Sequence, residues 1–250
     1  MVYDWFTMFL QGRGLPVLRR WSHGCRPEAD TSDKRAPLIL SLAALETGLA
    51  AELAPTGCAI IIEAKVEAIE QASTALAACL PDAVLLAHAT PVAVQRLHVA
   101  LGVMEAKAGV AQGRTAILAQ LGADPAVFLG GARFKDLSTR LVALVFGGAQ
   151  LRQRLSGPAA ARPEEEKSFH DKGLEALVRS DSRQSWRGSL PAPDRETPLF
   201  PIAFAEAQTL LMAADAGLAA LLQAPPGSDD GALAAQAEAA RLAGFRGLVL

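Results

Sequence analysis

The chain has 250 residues, a length that fits one large α/β domain or two small ones. Hydrophobic residues make up 51% of it, much of that alanine, and aromatic residues only 5%, which excludes a largely disordered chain and argues against an all-β fold. The 24 basic and 26 acidic residues nearly balance, so we expect no nucleic-acid partner.

Cysteine content and hydropathy predict the cellular compartment. Cys25, Cys58 and Cys79 have neither the number nor the spacing of a disulfide framework or a zinc site. No apolar run approaches the roughly 18 residues that span a bilayer, and the start lacks the basic charge of a signal peptide. We therefore expect a cytoplasmic protein that does not bind membranes.

The first 36 residues differ in composition from the rest. Between residues 11 and 36, basic side chains outnumber acidic ones, and glycine and proline interrupt any period. This pattern predicts a poorly ordered or diverged leader over residues 1–36, followed by one domain over residues 37–250.

From residue 37, short apolar runs alternate with alanine-rich stretches. The runs predict strands at 38–42, 58–62, 83–87, 97–104, 141–146, 218–222 and 248–250. Helices are predicted at 44–53, 69–80, 110–121, 202–216 and 231–243. Strands separated by helices indicate βαβ units and a parallel sheet with both faces covered. Residues 156–198, rich in proline and charge, form an insertion, either a lid over a site or a surface segment.

Four segments in this order resemble one enzyme family. They are Ala64-Lys65-Val66-Glu67 after an apolar run, Val103-Met104-Glu105 before Ala108-Gly109-Val110, Phe146-Gly147-Gly148-Ala149-Gln150-Leu151, and the stretch 197–247. Together they are similar to the HpcH/HpaI aldolase and citrate lyase β-subunit family over residues 38–250.

The resemblance implies a TIM-type (β/α)8 barrel, with an incomplete barrel as the alternative. It also implies an Mg²⁺-dependent carbon–carbon lyase that acts on a hydroxyacyl-CoA or a 2-oxo acid, and a homo-oligomer. A divalent ion stabilises the enolate that such chemistry forms, because the ion neutralises charge on two oxygens as it develops.

The same resemblance suggests site residues. Glu105, placed at the carboxyl end of the predicted strand 97–104, and Gln150 would hold the Mg²⁺, while Lys65 and Glu67 would line the open end of the barrel as catalytic residues. Two plainer interpretations stay open. Glu105 could be an acidic residue at a helix N-terminus, and Lys65 could support the barrel end without reacting. His98 is expected on a strand, bonded to a backbone group.

Several positions depart from the family pattern. Gln150 stands where the family has an aspartate, which removes a negative charge and should weaken Mg²⁺ binding. The expected arginine near residues 38–42 is absent, and the first strands are not recognisable, so the chain looks truncated at both ends. These departures leave an alternative to the lyase open: a catalytically impaired or non-enzymatic homologue that retains ligand binding or oligomer contacts.

Overall fold

Short, mostly buried parallel strands form the centre of the protein. A computed structural model describes residues 6, 10, 17–20, 37–46, 59–130, 132–156, 200–225 and 228–250. Within these residues the strands are β1 Val17–Arg20, β2 Leu38–Ser41, β3 Ile60–Ala64, β4 Ala83–Leu86, β5 Ala116–Leu121, β6 Leu141–Phe146, β7 Ala219–Gln223 and β8 Gly247–Val249. Each pairs in parallel with the next, and β8 pairs with β1, so the sheet is a closed barrel. The predicted TIM-type α/β barrel is confirmed.

Strand β1 lies inside the segment 1–36 that the sequence predicts to be a poorly ordered or diverged leader. Residues 17–20 are an ordered strand, so of the two alternatives only divergence is compatible with them. Leu18 is fully buried, Arg19 is in register with Leu38 of β2, and Val17 is in register with Leu248 of β8. Basic residues and glycines flank β1 in the sequence and give no indication of a strand, although β1 closes the barrel.

Helices connect most of the described strands. They are α1 Ala43–Glu46, α2 Val66–Gln71, α3 Ser73–Cys79, α4 Pro91–Lys107, α5 Ala126–Leu129, α6 Gly148–Ser156, α7 Phe200–Ala216 and α8 Asp230–Ala243. The helices predicted at 202–216 and 231–243 are present with small shifts in their ends, whereas the single helix predicted at 69–80 is divided at Ala72 into α2 and α3. The predictions at 38–42, 83–87, 141–146, 218–222 and 248–250 correspond to strands β2, β4, β6, β7 and β8.

In the middle of the chain, one predicted strand is a helix and one predicted helix contains a strand. Residues 97–104 belong to helix α4 and not to a strand, and residues 116–121 form β5 and not a helix. Thr90 caps α4 by accepting a hydrogen bond from the Ala93 amide, and Pro91 opens its first turn. The long apolar run looked like a strand because valine and leucine occur on both sides of this helix.

Two hydrophobic clusters hold the barrel together. Alternate strand residues such as Ile61, Leu85 and Leu118 fill the barrel interior, and Phe6 packs against them. The residues between them, such as Ile62 and Leu86, pack outward against the helices. Both faces of each strand are therefore buried, which explains the unbroken apolar runs in the sequence.

The predicted insertion at 156–198 lies outside the described residues, apart from Ser156 at the end of α6. Most of the helix predicted at 44–53 also lies outside them. None of the described helices combines the length and the apolar character needed to cross a membrane.

Candidate functional site

Three glutamine side chains meet at the carboxyl end of the barrel. Gln120 is near the end of β5, Gln223 ends β7, and Gln150 lies in the first turn of α6, just after β6. The Nε2 of Gln120 donates a hydrogen bond of 2.8 Å to the Oε1 of Gln223. The Oε1 atoms of Gln120 and Gln150 are buried and accept no hydrogen bond from any described residue. We call these residues the three-amide site.

Gly147 lies beside two of the three amides. A Cβ atom on Gly147 would lie 3.0 Å from the Oε1 of Gln223, 3.4 Å from the Oε1 of Gln150 and 2.8 Å from the carbonyl oxygen of Leu121. A side chain here would clash with the Leu121 carbonyl and crowd the ends of Gln223 and Gln150. Gly122 has a φ of 121°, and a Cβ on this residue would clash with the Gly147 carbonyl, so the backbone turns after β5 and β6 are packed against each other.

The inner face of the barrel carries further polar side chains at this end. Glu63 lies two residues beyond Ile61, whose side chain is part of the interior cluster, and Ser41 lies two residues beyond Ile39. Register pairs Ser41 with Glu63. Because side chains alternate along a strand, both residues share the face of Gln120. Glu63 is half-buried and Ser41 is exposed.

Basic side chains surround the same end. Lys65 follows β3 directly, His88 follows β4, and Arg154 lies on α6. Desolvation lowers the pKa of His88 most, and the nearby positive charges of Lys65 and Arg154 lower it further. His88 adopts a positive φ of 60°, which turns the chain sharply after β4. We call Lys65, His88 and Arg154 the basic rim; it favours a negatively charged ligand.

Glu105 does not reach this end of the barrel. It lies in the last turn of α4, fully buried, and not at the carboxyl end of a strand as predicted. Its carboxylate is held by Arg140, by the amide of Thr115 at 2.8 Å and by the amide of Gly113 at 2.7 Å. Thr115 precedes β5 and Arg140 precedes β6, so Glu105 marks the amino end of the barrel.

The expected pairing of Glu105 with Gln150 around one ion is therefore wrong. The two side chains lie at opposite ends of the barrel because residues 97–105 are helical and run back toward the start of β5. Burial alone raises the pKa of Glu105, but hydrogen bonds from Arg140, Thr115 and Gly113 outweigh it and hold the pKa below its ordinary value. Glu105 is an ionised structural group in this fold.

The remaining predicted residues have these positions. Lys65 is exposed at the carboxyl end of β3, at the N-cap of α2. Glu67 is exposed on α2 and accepts a hydrogen bond of 3.1 Å from Arg96 of α4, which also binds Glu70. His98 lies on α4 and its Nδ1 is 2.8 Å from the Ser138 hydroxyl, so the expectation of a strand position with a backbone partner is wrong.

The donor set at the three-amide site does not suit Mg²⁺. The oxygens of the three amides are neutral, whereas protein Mg²⁺ sites use one or two carboxylates, and the carboxylate on the same inner face is that of Glu63 on β3, outside the three-amide site. Among the described residues, no group of three or more His, Cys, Asp or Glu side chains could hold a metal ion. Two of the amide oxygens, those of Gln120 and Gln150, have no hydrogen-bond donor among the described residues.

Comparison with known proteins shows similarity of fold. No family model and no curated protein matches the chain. A family protein from Burkholderia cenocepacia J2315, described as HpcH/HpaI aldolase/citrate lyase, matches with a TM-score of 0.57 and 13% identity over 98% of this chain and 90% of its own. The chain has the fold of this family.

Two other solved structures are also similar in fold to this chain. Malate synthase of Haloferax volcanii, in complex with pyruvate and acetyl-CoA, matches with a TM-score of 0.57 and 12% identity over 95% of this chain and 66% of its own. CitE of Mycobacterium tuberculosis, in complex with magnesium and acetate, matches with a TM-score of 0.51 and 16% identity over 94% and 85%. The chain thus spans about two thirds of the malate synthase.

Gln120 was missed at the sequence level. It is the one polar residue in Ala116-Ile117-Leu118-Ala119-Gln120-Leu121, a run that looked helical because of its alanines and the residues before it. The useful signal was a buried amide near the end of a strand, two residues before Gly122. Gln150 was recognised, but with Glu105 as the wrong partner.

Proposed function

We propose that this chain binds a small carboxylic acid or acyl ligand at the carboxyl end of the barrel, without Mg²⁺ and without cleaving a carbon–carbon bond. The observation that supports this most is the convergence of Gln120, Gln150 and Gln223 as neutral amides. In parallel barrels, ligands are bound at this end. The proposal corresponds to a non-enzymatic homologue that retains ligand binding.

The resemblance to the aldolase family supports the same conclusion. In that family a glutamate ends the strand before the Phe-Gly segment, and an aspartate follows the segment. Here the strand before Phe146-Gly147 is β5, whose carboxyl end carries Gln120, and Gln150 occupies the aspartate position. Both positions then lack the negative charge that holds a hard divalent cation and, through it, an enolate.

The basic rim supports a carboxylate as part of the ligand. The positive charges of Lys65 and Arg154 lie near His88 at the carboxyl end. The solved structures with this fold include complexes with pyruvate and acetyl-CoA, and with acetate. A small oxo acid, hydroxy acid or acyl thioester therefore fits the charge and position of this site.

Isothermal titration calorimetry with the full chain tests the proposal. Binding of small hydroxy or oxo acids should be unchanged between buffer with excess EDTA and buffer with millimolar Mg²⁺. Malyl-CoA and citramalyl-CoA should not be cleaved in either buffer. Binding that requires Mg²⁺, or Mg²⁺-dependent cleavage, would contradict the proposal.

The second candidate is an Mg²⁺-dependent carbon–carbon lyase. The observation in its favour is the fold shared with CitE, whose structure contains magnesium and acetate. In this case the Gln150 amide oxygen would be a metal ligand, with Lys65 and Glu67 as catalytic residues. Cleavage that requires Mg²⁺ and is lost in Gln150→Leu would favour this function over ligand binding alone.

A further inference from the structure

Helix α4 exposes apolar side chains along the middle of its outer face. Val92, Val99 and Val103 are all exposed to solvent, and on a helix of 3.6 residues per turn they lie within about 40° of one another. The opposite face of α4 is buried against the barrel through Leu97 and Leu101. A helix that is apolar on both faces is normally covered on both, so this face is typical of an interface. We call Val92, Val99 and Val103 the valine face.

An open groove follows one edge of the valine face. Its volume is about 570 Å³. Val99 and Val103 of α4 lie on one side of the groove, and Glu70 of α2 and Ser73 of α3 lie on the other. The groove extends the surface of α4 that another helix could contact, because side chains of that helix can enter between α3 and α4.

The charges along this edge differ at its two ends. Arg96 binds both Glu67 at 3.1 Å and Glu70 at 2.8 Å, so two carboxylates share one guanidinium and a net negative charge remains there. Lys107 is exposed and lines the groove, but has no ion-pair partner among the described residues. It lies about 16 Å from Arg96 along the helix axis. The edge is therefore acidic at one end and basic at the other.

This pattern is complementary to itself in one orientation. When two copies of α4 pack antiparallel about a two-fold axis, the same edge of the face lies together in both copies. With the axis midway between Arg96 and Lys107, Lys107 of each copy lies beside Glu70 of the other, and Val99 of one copy meets Val103 of the other. A parallel pair would instead place Lys107 against Lys107 and Arg96 against Arg96, which is unfavourable.

We infer that the valine face binds a second copy of this chain, with the two α4 helices antiparallel. The valines supply the apolar centre of the contact, and the contacts between Lys107 and Glu70 at its two ends set the orientation. The valine face lies on the outer side of the helix layer, whereas the three-amide site lies at the carboxyl ends of β5 and β7. The inference is therefore independent of the proposed ligand binding.

Analytical ultracentrifugation of the full chain tests the interface. The chain should pass from one copy to two as its concentration rises from about 1 to 100 μM, the range of a modest interface. Val99→Lys/Val103→Lys places like charges at the centre and should remain a single copy throughout. Leu242→Lys is the matched control, since Leu242 is exposed on α8, and should associate like the original chain. A chain that stays a single copy at 100 μM, or association that survives in the double valine variant, overturns the inference.

An exchange of charges tests the orientation. Lys107→Glu places acidic side chains against Glu70 of the other copy, and Glu70→Lys places basic side chains against Lys107, while Glu67 still binds Arg96. Each variant alone should associate about tenfold more weakly than the original chain. Mixed in equal amounts, with one variant carrying a fluorescent label, they should form a mixed dimer in which both opposite-charge contacts are restored. No preference for the mixed dimer overturns the antiparallel arrangement.

Discussion

Glu105 and Arg140 form a buried two-point ion pair at the amino end of the barrel. Arg140 Nη1 lies 2.6 Å from Glu105 Oε1, and Nη2 lies 2.8 Å from Oε2. The carboxylate also accepts hydrogen bonds from the backbone just before β5. This pair joins the end of α4 to the starts of β5 and β6.

Loss of this pair should destabilise the fold strongly. Glu105→Gln keeps the size of the side chain but leaves the Arg140 charge buried without a counter-ion, at a cost of about 3–5 kcal/mol in the free energy of unfolding. Urea denaturation followed by circular dichroism measures this change in the free energy of unfolding. Glu238→Gln, which breaks the exposed Glu238–Arg241 pair on α8, should leave the urea midpoint almost unchanged. Equal effects of both variants would show that Glu105 does not have this role.

The same carboxylate should make stability depend on pH. Its folded pKa is lowered, so its contribution is complete above the unfolded value of about 4.3 and is lost as pH falls through the folded pKa. The difference in stability between the original chain and Glu105→Gln should therefore shrink as pH falls from 5 toward 3. Urea titrations at several pH values check this; a difference that is constant with pH would contradict it.

Two glycines should respond oppositely to alanine. Gly147→Ala places a methyl group against the Leu121 carbonyl and the Gln223 amide, and should cost about 1–3 kcal/mol and weaken ligand binding. Gly102→Ala lies inside α4, where the nearest atom would be 3.8 Å away, and should stabilise by about 0.5–1 kcal/mol. Thermal unfolding distinguishes the two. A stabilised Gly147→Ala would mean that the amides are not packed around this residue.

Carboxylates at the three-amide site should create metal binding. In Gln120→Glu/Gln150→Asp, two negative charges face the same space, and Mg²⁺ should bind where the original chain gives no heat of binding. Calorimetry with MgCl₂ measures this directly. Gln153→Asp adds a carboxylate to the exposed face of α6 and should bind no Mg²⁺. If the double variant is folded and also gives no heat of Mg²⁺ binding, the two positions do not share a site.

Binding of a carboxylate should strengthen in mild acid. The pKa of His88 is lowered from 6.5, so the imidazole becomes charged only at a pH below 6.5. Its positive charge then adds to the charges of Lys65 and Arg154. Affinity for lactate should rise as pH falls from 7 to 5, and the rise should be smaller in His88→Gln. Calorimetry at each pH provides the test. An identical pH profile in both proteins would exclude His88 from the ligand site.

Much of the barrel could be predicted from the sequence because both faces of its strands are buried. The run Leu141–Phe146 has no polar residue and corresponds to β6 without any shift. The run at 97–104 misled because burial on α4 follows a helical spacing: Leu97, Leu101 and Met104 are buried, whereas Val99 and Val103 are 64% and 49% exposed. Apolar content alone cannot distinguish these two patterns, but the Thr90-Pro91 start signal could have done so.

The site was less predictable than the fold. Gln150 was found through its motif, but its partners Gln120 and Gln223 lie on other strands and depend on which segments form those strands. The prediction of a strand at 97–104 places Glu105 at the wrong end of the barrel. A single exchange of helix and strand thus changed the expected site from three amides to a carboxylate and an amide.

Strand β1 lies between β2 and β8, and so joins the beginning and the end of the described sequence. The contact between Leu18 and Val249 spans almost the whole chain, and bringing such distant segments together carries a high entropic cost. Until β8 joins, the ring stays open, and the edges of β1 and β7 are free to pair with other chains. Aggregation is therefore most favoured before β8 pairs with β1.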